Sequence, residues 1–248
     1  MWVWGTPDNQ TLIDFAKRNS VQELFYSVSS NIGASELARI RTLKTLTDAA
    51  GITLDALGGD PTWATTHTGD ALAWETGALN TGLFAGVHFD IEPAALPAWK
   101  SNNAATIAAY LSALDRIRAR SRVHFEVDVP FWYGQYQAVG YRSLADAVIA
   151  KTDETSTMSY RNTATGQNSL FGVGQDMLAR AEAAGKPTRL GAETNNVQPS
   201  NITFYTVGNA AMLAALPRVD AAAAAYTSYR GIAIEDYAGW KALGGAGP

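Results

Sequence analysis

The chain has 248 residues, 47% of them hydrophobic and 17% charged, enough to bury a large core as one α/β barrel or two small domains. A formal net charge of -4 with no Lys/Arg run gives no electrostatic footprint for nucleic acid or an anionic membrane, so neither is expected as a partner. With no cysteine, disulfides, thiolate metal sites and cysteine nucleophiles are excluded.

In chain order, the N-terminal MWVWG reads as a strand and not as a charged leader with an apolar run. No apolar stretch approaches the ~20 residues that span a bilayer. Short β-rich runs then alternate with longer helical patterns, the signature of parallel βα units. Eight such runs are predicted, at 2–5, 23–29, 52–57, 84–91, 123–129, 156–160, 189–193 and 231–236. Between them, ASELARIRTLKTLTDAA places Leu37, Ile40 and Leu43 on one helix face, and NNAATIAAYLSALDRIRARS does the same with Ile107, Leu111 and Leu114.

Eight βα units in 248 residues fit an α/β fold of one (β/α)8 TIM barrel, with its working face at the strands' C-terminal ends. No linker or composition shift divides the chain, so the barrel is expected over 1–243, with a flexible tail at 244–248. A doubly wound open sheet is the alternative. It would usually carry a Gly-rich phosphate turn after its first strand, and WGTPDNQT is not one.

The fourth run, GVHFDIEP, carries the first chemical signal. Side chains alternate along a strand, so Val87, Phe89 and Ile91 face one way and His88, Asp90 and Glu92 the other. In a barrel the apolar face packs on the helices and the ionisable face points inward, with Glu92 uppermost at the mouth. The fifth run repeats the pattern with His124, Glu126 and Asp128 inward. The seventh places Arg189, Gly191 and Glu193 on one face, and the eighth ends at Glu235 and Asp236. A satisfied polar network is the bland reading of any one of these acids. So many carboxylates with Arg189 as the obvious internal counter-charge would cost several kcal/mol per uncompensated group, and would spread the carboxyl pKa values as general acid/base chemistry requires.

These residues resemble those of glycoside hydrolase family 18, the chitinases and their relatives. AGVHFDIE (Ala85 to Glu92) is similar to that family's D-G-x-D-x-D-x-E, ALGG (Ala56 to Gly59) to its S-x-G-G, and MSYRN (Met158 to Asn162) to its M-x-Y-D, in the family's order. The resemblance implies Glu92 as the acid that protonates the glycosidic oxygen, Asp90 as its charge-stabilising partner and Tyr160 as the group that holds the reacting substituent, with a substrate N-acetyl oxygen as nucleophile. Three positions depart from the pattern. His88 stands for the family's middle Asp, Arg161 for the Asp of the sixth-strand motif, and Glu235 near a Trp that lines the sugar floor. A second glycosidase reading pairs Glu92 with Glu193, as in the retaining clan with paired glutamates about 5 to 5.5 Å apart. There Asn precedes the acid, where this chain has Ile91.

Trp4, Trp63, Trp132 and Tyr133 fall where mouth loops belong and offer flat faces to a sugar, although aromatic residues of a barrel are as often core. With Arg161, His88, Glu126, Asp128 and Glu235 they complete the expected cleft lining. No metal and no cofactor are expected. His88, Asp90, Glu92, Glu126 and Asp128 could ligate a hard ion, but no HExxH or Asp-rich calcium loop supports it. No G-x-S-x-G supports a serine nucleophile. His67 reads as a solvent-exposed loop residue and His124 as structural. A non-catalytic carbohydrate-binding barrel is the reading from another class, and phosphodiester cleavage has Arg161 alone in its favour. The crowded acids also suggest a preference for a sugar with a free amine. A monomer acting on a carbohydrate outside the cell is expected from the substrate class.

Overall fold

The computed structural model describes residues 1–244; residues 245–248, which hold most of the expected tail, lie outside the described residues. Eight parallel strands follow one another around one sheet in chain order. They are β1 (Trp2–Val3), β2 (Glu23–Ser27), β3 (Thr53–Gly58), β4 (Gly86–Phe89), β5 (His124–Pro130), β6 (Glu154–Met158), β7 (Thr188–Glu193) and β8 (Tyr229–Glu235). The described residues form nine α-helices: α1 (Asn9–Arg18), α2 (Ala34–Ala50), α3 (Thr68–Asn80), α4 (Pro97–Ser101), α5 (Asn103–Arg118), α6 (Leu144–Lys151), α7 (Leu170–Ala184), α8 (Gly208–Ala223) and α9 (Tyr237–Ala242). β1 and β8 come side by side, and the Trp4 indole N–H crosses that seam to donate to Glu235 Oε1 at 2.8 Å. The architecture is a (β/α)8 TIM barrel.

Local chemistry sets the helices. Asp8 accepts the Thr11 N–H at the start of α1 and Asn102 the Ala105 N–H at the start of α5, each satisfying a donor the first turn leaves free. Gly51 and Gly185 close α2 and α7 at φ +67° and +63°, the left-handed conformation in which a side chain is strained. On α5 the residues Ile107, Tyr110, Leu111, Leu114 and Ile117 form the buried stripe, at the 3.6-residue period of a helix. On α2 Ile40 and Leu43 are buried, and Leu37 is half-buried.

The sheet's outer face is apolar as expected. Phe89 packs edge-on against Trp74 at 4.9 Å and against Phe125 at 5.6 Å, and Val87, Val127 and Val129 are fully buried beside them. Each such side chain contributes about 1.5–3 kcal/mol by leaving water. Strand ends differ from the expected ones. β4 stops at Phe89, so Asp90 and Glu92 sit in the turn beyond it, and Glu92 opens the 3₁₀ turn Pro93–Ala95. β6 starts two residues early, at Glu154, whose carboxylate is drawn into the barrel by Arg189.

The interior is not the aliphatic stack usual for this fold. A small apolar cluster of Trp2, Phe25, Leu57 and Ala233 fills one part. Below it lies a charged floor. Glu126 and Glu154 are register partners on β5 and β6, a like-charge pair that would repel if left alone. Arg189 resolves it, pairing with Glu126, with Glu154 at 3.0 Å and with Glu23 at 2.5 Å.

Candidate active site

The mouth is built from the ends of β1, β4, β5, β6, β7 and β8. Glycines set two of its approaches. A Cβ on Gly59 would stand 2.0 Å from the Asp90 carbonyl oxygen, so only glycine lets the strand-four turn pack against β3. A Cβ on Gly191 would stand 2.8 Å from Tyr160 Cε1, so β7 leaves room for the tyrosine ring. Gly59 belongs to ALGG, Gly191 lies on β7 against Tyr160 of MSYRN, and both act through close approach.

Glu92 is half-buried, and among the described residues no hydrogen bond or ion pair holds its carboxyl. Burial raises its pKa above the ordinary value, with the Asp128 charge adding to the effect. Asp90 is raised well above the ordinary value by burial and by the Asp128 and Glu92 charges, against a smaller opposite pull from His88. Burial also lifts the Tyr160 hydroxyl, with Glu235, Asp128, Glu193 and Asp90 adding to it.

Glu193 and Glu235 sit on the far side of the mouth. Glu193 Oε1 accepts the Thr194 N–H at 2.8 Å, the Asn195 N–H at 2.6 Å and the Asn195 side-chain amide at 3.0 Å. Burial still raises its pKa, and those three donors work against the rise. Glu235 accepts from Trp4 and is raised well above the ordinary value by burial and the charges of Asp128, Asp236, Glu193 and Asp90. Asp236 is a helix cap, its Oδ1 accepting the Gly239 N–H at 2.9 Å at the start of α9.

Asp128 and His88 lie one step deeper. His88 Nε2 is 2.9 Å from Asp128 Oδ1, and the Trp2 indole N–H donates to Asp128 Oδ2 at 3.1 Å. Burial opposes a charged imidazole, but Asp128 and Glu126 on its two sides outweigh it and raise the His88 pKa to about 10. Burial lifts the Asp128 carboxyl, and His88 pulls it back.

Not every expected residue reaches the mouth. Glu126 is a floor residue beneath His88, fully buried, accepting from Ser156 Oγ at 2.6 Å and from Arg189. Burial works against its charge, but Arg189 and His88 overcome this and hold its carboxyl below the ordinary range. Trp63 is core, with its ring 5.7 Å from Trp74 and 6.2 Å from Phe89 on the outer face of the sheet. Trp132 packs in an aromatic group with Trp99, Tyr133 and Tyr136 and is half-buried. Arg161 is held at the rim by Asn168 Oδ1 at 2.7 Å and by the Tyr160 carbonyl at 2.7 Å, over the Phe131 ring, and pairs with no acid among the described residues. His67 is exposed.

Sequence reading missed Tyr110, and gave Tyr133 as a mouth-loop aromatic where the structure buries it. Both are fully buried, and neither hydroxyl has a hydrogen-bond partner among the described residues. Burial raises both, and the Asp90 and Glu92 charges are felt at each. Tyr110 looks like one more apolar position on the α5 stripe, so no pattern singles it out.

His124, Glu126 and Glu154 bring ligand atoms within 4.8 Å of one another, but Arg189 already lies between the two carboxylates where a cation would sit. A cavity of about 540 Å³ lies against Met1, Glu23, Arg189 and Arg230, at the ends of the strands opposite Glu92.

No protein-family model matches the sequence, and no curated protein matches it. Solved structures do. The spore cortex-lytic enzyme SleL of Bacillus cereus superposes with a TM-score of 0.57 at 12% identity, over 100% of this chain and 73% of that one. A GH18 chitinase from Pseudoalteromonas aurantia gives 0.55 at 13% identity, over 99% and 98%. A Toxoplasma gondii structure named as a deoxyribose-phosphate aldolase gives 0.55 at 11% identity, over 99% and 88%. At these identities the likeness is one of fold: the chain is a divergent (β/α)8 barrel similar to that of a GH18 chitinase.

Proposed function

We propose that the protein hydrolyses glycosidic bonds of an oligo- or polysaccharide, with Glu92 as general acid and Asp90 as its partner. The observation that carries the reading is the state of Glu92. It stands at the mouth, free of any hydrogen bond or ion pair among the described residues, in surroundings that favour its protonated form. In the step it serves, the bond from the anomeric carbon to the leaving oxygen breaks and the electron pair goes to that oxygen, which takes the Glu92 proton. Glu92, now ionised, accepts a proton from the attacking water, whose hydroxyl completes the new end.

Two observations count against pairing Glu92 with Glu193. The charge that bears on Glu92 is that of Asp128, whereas the charge that bears on Glu193 is that of Asp236. Three N–H groups also engage Glu193 Oε1, which makes it a positioned recognition group. Aldolase chemistry through a Schiff base needs an interior lysine, and none of the eight strands contains one. Trp4 and the acids at the mouth suit a carbohydrate partner.

The test is hydrolysis of a broad glycan panel by the wild type beside Glu92→Gln. Cleavage by the wild type, reduced on the order of 10²–10⁴-fold in the variant with glycan binding retained, supports the assignment. Binding of one glycan by both proteins with cleavage by neither would replace it with a lectin.

A further inference from the structure

His88 occupies the position where the motif of the resembled family carries an acid, so the sign of charge is reversed there. Its ring is fixed. It stacks on Phe25 with centroids 3.8 Å apart and planes at 29°, and meets Trp2 edge-on at 5.6 Å and 90°. Its Nε2 lies 2.9 Å from Asp128 Oδ1, and the Trp2 indole N–H is shared between Asp128 Oδ2 at 3.1 Å and His88 Nε2 at 3.2 Å. Asp128 thus has one N–H donor, Trp2, and one ion-pair contact, His88, and is only 2% exposed.

Asp90 has neither. β4 and β5 pair as far as Phe89↔Val127, and the next residues along are Asp90 and Asp128. Two neighbouring buried carboxyls do not both ionise readily; the charge goes to the one with the ion-pair partner and the N–H donor. Resting on the glycosidase reading above, we propose that Asp128 is the fixed anion of the site, held by His88 and Trp2. It, rather than Asp90, opposes the positive charge developing at the anomeric carbon and keeps the proton on Glu92. Asp90 is then a protonated neighbour able to donate a hydrogen bond to the substrate.

The groups around the pair come from several elements. His88 faces Asp128 and Glu126 of β5, with Trp2 and Phe25 from β1 and β2. Asp128 acts in addition on Asp90 and Glu92 beyond β4, Tyr160 beyond β6, Glu235 of β8 and Tyr110 of α5. Among the described residues no other carboxylate is common to all of these.

NMR reads the proposal without a substrate. The chain has three histidines, so the His88 ring nitrogens are assignable, and the Glu92 carboxyl is identified by its loss in Glu92→Gln. The wild type is expected to keep an imidazolium at His88 at pH 8. In Asp128→Asn, an isosteric change, the Glu92 midpoint should fall by about one pH unit. Activity of that variant should drop on the order of 10²–10³-fold, with the alkaline limb of kcat/KM moved to lower pH. A His88 that titrates near ~6.5 in the wild type overturns the proposal even if the variant does not fold. An unmoved Glu92 midpoint, or unchanged hydrolysis in Asp128→Asn, also overturns it. If the wild type cleaves no glycan while both NMR results hold, the glycosidase reading fails together with the anomeric role, and the ion pair stands.

Discussion

Tyr160 lies in the space that a side chain at position 191 would need, within 2.8 Å of where a Cβ would stand, and the Thr157 carbonyl oxygen is 2.9 Å from the same point. The bare backbone of β7 is therefore what seats the tyrosine among Glu235, Asp128 and Glu193. Gly191→Ala should destabilise the fold by about 1–3 kcal/mol through overpacking and displace the ring. Tyr160→Phe should leave stability nearly unchanged and lower hydrolysis at least about tenfold. Thermal melts with kinetics on both variants check this; an active Gly191→Ala with wild-type stability would show that the ring has other room.

Arg189 is the cation shared by Glu23, Glu126 and Glu154. Arg189→Met should cost about 3–5 kcal/mol at neutral pH, because it strands buried carboxylates. Glu126 has a folded pKa held below its unfolded one, so its contribution to wild-type stability is present above the unfolded value and lost as pH falls through the folded one. The gap between variant and wild type should accordingly narrow toward pH 3. Denaturant midpoints at pH 7 and pH 3.5 measure it, and an equal gap at both would count against the network.

Asp55 gives the opposite sign. Burial and the neighbouring Glu23 charge raise its carboxyl to about 8. Its contribution to stability is present below the unfolded value of ~3.9 and lost as pH rises through the folded one, at about 1.4 kcal/mol for each pH unit crossed between them. Asp55→Asn should gain on the wild type between pH 5 and pH 8.5. Melting temperatures that differ by the same amount at both pH values would contradict this.

Two of the three tryptophans expected at the mouth should separate cleanly. Trp63→Ala opens a core cavity and should cost about 3–5 kcal/mol in unfolding free energy. Trp4→Phe keeps a ring but removes the N–H that Glu235 accepts, so it should weaken glycan affinity at little cost to stability. Chemical denaturation and glycan titration of both variants decide it.

Alternation made much of the site legible. VHFDIE and HFEVDV each sort acids from apolar residues at period two, and the structure sends the apolar sets to the helices and the others inward. Depth was not legible in the same way. Glu126 and Asp128 look equivalent in sequence, yet one residue pair along a strand separates a floor ion pair from the mouth. Trp63 and Trp4 both follow strands, but Trp63 opens its loop with a 3₁₀ turn, Pro61–Ala64, that folds the ring back onto Phe89. Arg161 stands in the motif's acid position, and its long side chain satisfies itself locally on Asn168 and a carbonyl. Tyr110 carries no pattern beyond that of a core aromatic.

The charged floor also bears on how the barrel comes together. Glu23 and Arg189 are 166 residues apart in the chain, and the residues that Arg189 gathers lie on the second, fifth and sixth strands while it rides on the seventh itself. No fragment that ends before Thr188 can neutralise its own acids through Arg189, so a nascent N-terminal portion keeps Glu126 and Glu154 facing each other without that cation until late in synthesis. Formation of the floor therefore waits for β7, the last strand but one. Of two halves cut between β4 and β5, the C-terminal one keeps Arg189 with Glu126 and Glu154, and the N-terminal one leaves Glu23 without its cation.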